Sequence, residues 1–153
     1  MKPRIPPPVI WLLAALLMWT LHRWMPIARL IMSPWTWVAL LPAAIGVGVI
    51  YDANMQFRRA HTTINPLEPQ MASSLVMKGI YRITRNPMYL GLTLWLTAWA
   101  LWLGTLSPWI AVVLFPLIIT ALQIIPEEQA LEKLFGEAYL DYRKRVARWL
   151  GWL

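Results

Sequence analysis

The chain has 153 residues, of which 59% are apolar and 14% charged, and its net charge is +7. Soluble domains average about 45–50% apolar and about 25% charged residues, so the composition excludes an ordinary soluble domain and indicates one all-α integral membrane domain over 1–153. The basic residues lie beside apolar segments, which favours membrane lipids and cytosolic anions as partners over nucleic acid. There is no cysteine, and His22 and His61 are far apart, so we expect neither disulfides nor a metal site.

Apolar segments predict a helical bundle that crosses the membrane about four times. The first segment follows a basic, proline-rich lead-in without a cleavage site, which favours a retained span over a signal peptide. A short turn joins the last two segments and predicts an antiparallel hairpin. The predicted spans are about 9–24, 35–51, 88–103 and 108–125.

Two polar regions accompany these spans. Residues 52–87 form a long connection, which is typical of a functional or disordered segment. Residues 127–149 carry apolar side chains at three- and four-residue steps and predict a C-terminal amphipathic helix, in which Gly136 is a candidate break. With four spans, all Lys and Arg residues except Arg23 and Arg29 fall on one side of the membrane. The positive-inside rule places that side, with both termini, in the cytoplasm.

A polar cluster lies where the long connection meets the third span. Arg82, Arg85 and Asn86 stand there between Tyr81 and Tyr89. The simplest interpretation is a basic patch that fixes topology, with interfacial tyrosines and a proline at the start of a helix. Polar groups at a membrane boundary are costly to desolvate without partners, however, which makes the cluster a candidate site.

A second cluster, Glu127 and Glu128, follows the fourth span. Alone, the pair is explained by its place in a first helical turn, where acidic side chains interact favourably with the helix dipole. The predicted hairpin brings the pair to the same membrane face as the basic cluster. Guanidinium and amide donors opposite carboxylates suit a zwitterionic amino acid, and tyrosine faces attract a sulfonium cation. Together these features predict a site for S-adenosylmethionine.

Several motifs resemble those of a known family. Residues 74–91 read Ser-Leu-Val-Met-Lys-Gly-Ile-Tyr-Arg-Ile-Thr-Arg-Asn-Pro-Met-Tyr-Leu-Gly, and they are followed by Pro126-Glu-Glu and Phe135-Gly-Glu-Ala-Tyr-Leu-Asp-Tyr-Arg. Together with Thr62–Pro69, these stretches resemble the isoprenylcysteine carboxyl methyltransferase family, in its bacterial branch, and the related phospholipid methyltransferases.

The resemblance implies an integral membrane methyltransferase of a bacterial inner membrane. Its expected cofactor is S-adenosylmethionine, its expected product S-adenosylhomocysteine, and its expected acceptor a lipid-like or prenylated molecule at the cytoplasmic face. The cofactor pocket is expected to form from helix ends. The expected cofactor-binding residues are Leu75, Val76, Gly79, Ile80, Tyr81, Arg85, Asn86, Pro87, Tyr89, Glu127 and Glu128.

The chain departs from the family pattern at two positions. Asn86 replaces the usual histidine, although its amide still donates hydrogen bonds. Gln123 stands where the isoprenylcysteine enzymes have an arginine implied to meet the substrate carboxylate, so it is the candidate acceptor-binding residue and argues against a prenylcysteine carboxylate. If the acceptor is an amine, Glu128 is the nearest candidate base. The alternatives are a non-enzymatic membrane scaffold or lipid-binding protein, and a lipid double-bond reductase.

Overall fold

The structure is a computed structural model that describes residues 5–60 and 74–150. Within these ranges the regular structure is helical, apart from an isolated antiparallel bridge between Arg29 and Thr105. A short 3-10 turn over Trp35–Ala39 leads into the second helix, and another covers Gly79–Arg82. The helices are α1 (Pro7–Trp24), α2 (Leu40–Arg59), α3 (Pro87–Leu103), α4 (Trp109–Ile119), a π-helical segment (Thr120–Ile124), α5 (Ile125–Phe135) and α6 (Glu137–Arg145).

The third helix is the centre of the bundle, with α1 and α4 on one side and α2 on the other. Met18, Leu96 and Phe115 are almost completely buried between α1, α3 and α4.

Two glycines bring α2 and α3 into close contact. A Cβ atom on Gly46 would lie 2.7 Å from Trp95, and one on Gly91 would lie 2.4 Å from Ile50. Small residues at such a crossing are the usual means of close packing in membrane helices.

Among the described residues, two helical stretches are long and apolar enough to cross a membrane. Trp35–Arg59 has 25 residues and contains an 18-residue window with a mean hydropathy of 1.5, and Trp109–Phe135 has 27 residues and contains such a window with a mean hydropathy of 2.2. Pro87–Leu103 is apolar but shorter. The all-α membrane fold is therefore supported in its coarse form, while the number of four spans stays a prediction.

Several predicted boundaries differ from those observed. The second helix continues past residue 51 to Arg59, because Ala53 and Gln56 are buried and its polar last turns still pack against the protein. The fourth helix does not stop before Pro126 but continues through the π-helical segment into α5. The amphipathic helix predicted over 127–149 breaks at Gly136 and ends at Arg145, after which Val146 is extended.

Part of the predicted connection lies outside the described residues. This applies to residues 61–73, which include His61 and the Thr62–Pro69 motif. It applies equally to Lys2 and Arg4 in the predicted basic lead-in. What the structure describes of the connection is the end of α2 and the segment from Ser74 to Asn86, which leads directly into α3.

Candidate functional site

A cavity of about 350 Å³ lies where α1, α3 and α5 begin and α2 ends. This volume falls at the lower end of the range of about 300–1,000 Å³ that is typical of small-molecule sites. One part of its wall is polar and the other apolar. The polar part consists of Ser74, Tyr81, Arg85, Asn86, Tyr89, Glu127, Glu128, Tyr139 and Tyr142. The apolar part consists of Pro7, Pro8, Ile50, Phe57, Leu75, Val76, Pro87, Met88, Leu92 and Leu131.

A tight turn places Tyr81 in the wall. Gly79 has φ +60°, which is the left-handed region that glycine adopts at no steric cost. The next backbone N–H, that of Ile80, donates to Oδ2 of Asp52 over 2.7 Å, and Gln56 donates to the other oxygen over 2.9 Å. These bonds tie the turn to the end of α2. Tyr81 then packs edge-to-face on Phe57, with ring centroids 5.5 Å apart.

The segment before α3 is held by the C-terminal residues. The backbone N–H of Arg85 donates to the carbonyl of Ala147 over 2.9 Å, and its Nε donates to the carbonyl of Val146 over 3.0 Å. The Asn86 side-chain amide donates to the carbonyl of Arg148 over 3.1 Å. Pro87 occupies the first turn of α3, where its missing N–H costs nothing. Both polar residues therefore line the cavity with their positions fixed by the protein's own C-terminal segment.

The two adjacent glutamates have different partners. Glu127 accepts a hydrogen bond from the Tyr89 hydroxyl over 2.6 Å. Glu128 is only 9% exposed and is paired with two arginines. Its Oε1 lies 2.7 Å from Nη1 of Arg85 and 3.0 Å from Nε of Arg148, and its Oε2 lies 2.7 Å from Nη2 of Arg148. Both oxygens of Glu128 are thus engaged by the protein itself.

Three tyrosines in the cavity wall remain neutral phenols. Burial raises the pKa of Tyr81 and Tyr142 well above the usual range, and burial followed by the Glu128 charge raises that of Tyr139. The Tyr142 hydroxyl donates to the carbonyl of Tyr81 over 2.7 Å, and the Tyr139 hydroxyl accepts from Arg85 over 3.2 Å. These phenols act as hydrogen-bonding and packing groups at neutral pH rather than as bases.

The structure brings most of the predicted cofactor residues to this one cavity. They include Asn86 from the basic cluster and Glu127 from the acidic cluster. Gly79 and Ile80 do not line it, because they form the turn behind Tyr81. Gln123 does not line it either. The residue is 1% exposed and its side-chain amide donates to the carbonyl of Ile5, while its Oε1 has no hydrogen-bond partner among the described residues. As an acceptor-binding residue, Gln123 stays a prediction.

Some cavity residues were not predicted. Tyr139 and Tyr142 belong to the quoted Phe-Gly-Glu-Ala-Tyr-Leu-Asp-Tyr motif, which is the signal that could have identified them. Pro7, Pro8 and Ile50 lie in segments that carry no motif. Among the described residues, no group of three or more His, Cys, Asp or Glu side chains is placed to hold a metal ion.

Comparison with known proteins relates the sequence to a methyltransferase family. Residues 34–138 match the family described as phospholipid methyltransferase. An uncharacterized protein of Haemophilus influenzae is 49% identical over 63 residues, which are 41% of this chain and the whole of that protein. Protein-S-isoprenylcysteine O-methyltransferase of Schizosaccharomyces pombe is 35% identical over 75 residues, which are 47% of this chain and 30% of that enzyme. No solved structure shows a significant match.

The helical fold places a partly open cavity with polar and apolar walls at one end of the bundle. The family match covers more than half of the chain, so the chain belongs to the phospholipid methyltransferase family. This confirms the resemblance stated from the motifs, and the class it defines is that of membrane methyltransferases.

Proposed function

We propose that the protein transfers a methyl group from S-adenosylmethionine to a lipid-like acceptor held in the membrane. The observation that carries the proposal is the single cavity in which Arg85, Asn86, Tyr89 and Glu127 meet an apolar wall. The cavity combines hydrogen-bond donors, a carboxylate and aromatic faces, which is the set that an amino acid with a sulfonium group requires. Family membership supports the same reaction class.

The residues present fit the cofactor. Glu127 offers a carboxylate for the cofactor ammonium group, and the Tyr89 hydroxyl fixes the orientation of that carboxylate. Apolar side chains such as Val76 and Leu131 line the cavity and would pack against the uncharged parts of the cofactor. When bound, S-adenosylmethionine supplies the electrophilic methyl group, so the protein has to position the two reactants and exclude water.

The surroundings of Glu128 favour an acceptor that needs no base from this residue. Its oxygens accept three hydrogen bonds from Arg85 and Arg148, and taking a proton from an amine would remove the charge that holds both guanidinium groups. We therefore assign Glu128 to holding these arginines and Glu127 to contacting the cofactor. A carboxylate or another anionic oxygen needs no deprotonation before methyl transfer.

Transfer of radiolabel tests this function. Membranes containing the protein are incubated with S-adenosylmethionine labelled in the methyl group, and the organic-soluble fraction is counted. We expect label in that fraction with the wild type and a large loss with Glu127→Gln. Glu132→Gln is the control, because Glu132 is exposed and pairs with Arg143 outside the cavity. Absence of label with wild type in membranes that hold the native lipids would contradict the proposal, and would favour a lipid-binding scaffold.

A further inference from the structure

The last described residues form one wall of the cavity. A single glycine joins this segment to the preceding helix, α5. We call residues 137–149 the C-terminal arm; it contains α6 and the non-helical residues that follow. Gly136 precedes it with φ +53° and ψ −128°, a combination essentially restricted to glycine, and nothing lies within 4 Å of where its Cβ would be. The backbone can therefore rotate at this residue without a side chain obstructing it.

The C-terminal arm is held on the protein by polar contacts and by aromatic side chains, because Tyr139 and Tyr142 are buried and Trp149 packs against the core. Tyr139 and Tyr142 reach Arg85 and the carbonyl of Tyr81 from α6. The Thr84 hydroxyl donates to the carbonyl of Arg148 over 3.0 Å, next to the bonds that Arg85 and Asn86 make to the same segment. Trp149 adds an apolar anchor and donates to the hydroxyl of Thr120 over 3.2 Å. Net contributions of such neutral hydrogen bonds are small because water replaces them on opening, so the buried aromatic side chains and the ion pair of Arg148 contribute most to keeping the arm closed.

The strongest of these contacts is the pair between Arg148 and Glu128. The guanidinium group binds both carboxylate oxygens, at 3.0 and 2.7 Å, and the carboxylate is buried. Bidentate charge-assisted bonds of this kind are about twice as strong as neutral ones. Arg148 does not line the cavity. Its contacts therefore hold the wall in place without touching a ligand.

We propose that Arg148 is a positioning residue that keeps the C-terminal arm closed over the cofactor, and that the arm turns about Gly136 to admit and release the cofactor. The inference rests on the proposed function, because it names the movement by which that same cavity is filled. The arm supplies Tyr139 and Tyr142 to the cavity wall, so its displacement opens the cavity on the side away from the helix bundle. Arg85 stays paired with Glu128 when the arm leaves.

Binding kinetics of S-adenosylhomocysteine test the role of Arg148. With Arg148→Gln we expect the association and dissociation rates both to rise, each by about tenfold, the usual worth of a lost charge-assisted hydrogen bond. The Kd stays nearly constant, because the closed state is weakened equally in the free and the bound protein. Arg148→Lys should give smaller changes in the same direction. Arg145→Gln is the control, because it removes the same charge from an exposed position on the same arm.

Other outcomes overturn the inference. A faster dissociation rate with an unchanged association rate would mean that Arg148 supports the bound state only, and equal rates in both proteins would mean that it does not limit exchange. If wild type itself does not bind S-adenosylhomocysteine, the proposed function fails first.

Cross-linking across Gly136 provides a second, independent test that keeps Arg148 intact. Glu132 on α5 and Arg143 on α6 form an exposed ion pair 3.5 Å apart, outside the cavity. Because the chain has no cysteine, Glu132→Cys with Arg143→Cys can be joined specifically by a short bifunctional reagent that a reductant cleaves. We expect the cross-link to slow association and dissociation by more than about tenfold, and the reductant to restore both. Unchanged rates in the cross-linked protein would show that the arm does not move for exchange.

Discussion

At the scale of single residues, the clearest separation of roles is that between Glu127 and Glu128. The sequence presents them as an equivalent pair, yet one contacts a tyrosine and the other two arginines. A carboxylate paired with two guanidinium groups supports the structure, whereas one that accepts from a tyrosine hydroxyl in the cavity wall can also contact a ligand. Substitutions at the two positions should therefore have different effects.

Glu127→Gln should weaken cofactor binding without weakening the fold. The amide keeps a hydrogen bond to Tyr89 but loses the charge that the cofactor ammonium needs. Hydrogen bonds to charged groups contribute about 1.5–3 kcal/mol, so we expect the KM for S-adenosylmethionine to rise by tenfold or more. Tyr89→Phe should cause a smaller rise, since it removes the hydrogen bond that orients the carboxylate but keeps the carboxylate charge. An unchanged KM in Glu127→Gln would assign cofactor recognition to other residues.

Glu128→Ala should destabilise the protein itself. It leaves the Arg85 side chain, which is 8% exposed, without its ion-pair partner, and removing one member of a buried pair costs about 3–5 kcal/mol. We expect a marked fall in the apparent Tm of the purified protein, as measured by tryptophan fluorescence. Glu132→Ala, which breaks an exposed pair worth about 0–1 kcal/mol, is the matched control. Equal shifts for the two variants would contradict the bracing role of Glu128.

At the scale of helices, replacing a glycine of α2 or α3 should affect stability only where that glycine lies in the contact between the two helices. Gly91→Ala would place a methyl group 2.4 Å from Ile50, a cavity residue, and should separate the helices. Gly48→Ala meets nothing within 4 Å and removes the flexibility of glycine from a helix, so it should be neutral or stabilising by about 0.5–1 kcal/mol. The apparent Tm of each variant checks this. A Gly91→Ala protein as stable as Gly48→Ala would show that the contact tolerates a wider spacing.

The order of the helices and the residues that line the cavity could be predicted from the sequence, whereas the path of the chain through Pro126 could not. The hydrophobic runs gave the order of the helices, and the motifs gave the residues that converge at the cavity. The path through Pro126 could not be predicted from local signals. A proline removes one backbone donor and crowds the preceding turn, which normally ends a helix, but here the chain widens into a π-helical segment and continues. That choice depends on tertiary contacts of the segment, such as those of Gln123 and Thr120.

The hydrogen-bond partners of the C-terminal segment could not be predicted from the sequence either. Arg148 belongs to a run of basic residues that reads as an exposed helical surface. It faces Glu128 instead because α6 ends at Arg145 and the chain continues without helical structure alongside residues 84–86. Hydrogen bonds between segments so distant in sequence leave no periodic pattern, so only the three-dimensional structure reveals them.

At the scale of the whole molecule, the cavity and most basic residues lie at one end of the bundle. At the opposite end, Arg23 stacks on Trp24, 5.4 Å from the ring centre, and His22 forms a 2.9 Å hydrogen bond with Thr105. The charge asymmetry predicts that the cavity end is cytoplasmic. This orientation also suits a cofactor that is made in the cytosol.

Single cysteines can test this orientation, because the chain has none of its own. Asp141→Cys lies near the cavity end on exposed α6, and Leu106→Cys lies in the exposed turn at the other end. We expect an impermeant maleimide to label Leu106→Cys in cells with a permeable outer envelope and an intact inner membrane. Asp141→Cys should react only after that membrane is opened. The reverse pattern would contradict a cytoplasmic site.

The most direct test of the central claim is calorimetric titration of the purified protein with S-adenosylhomocysteine. We expect saturable binding of one ligand per chain, with binding weakened by tenfold or more in Glu127→Gln, in line with the loss of a charged hydrogen bond, and preserved in Glu132→Gln. No saturable heat with the folded wild type, or equal binding by Glu127→Gln, would contradict the assignment of this cavity as the methyl-donor site.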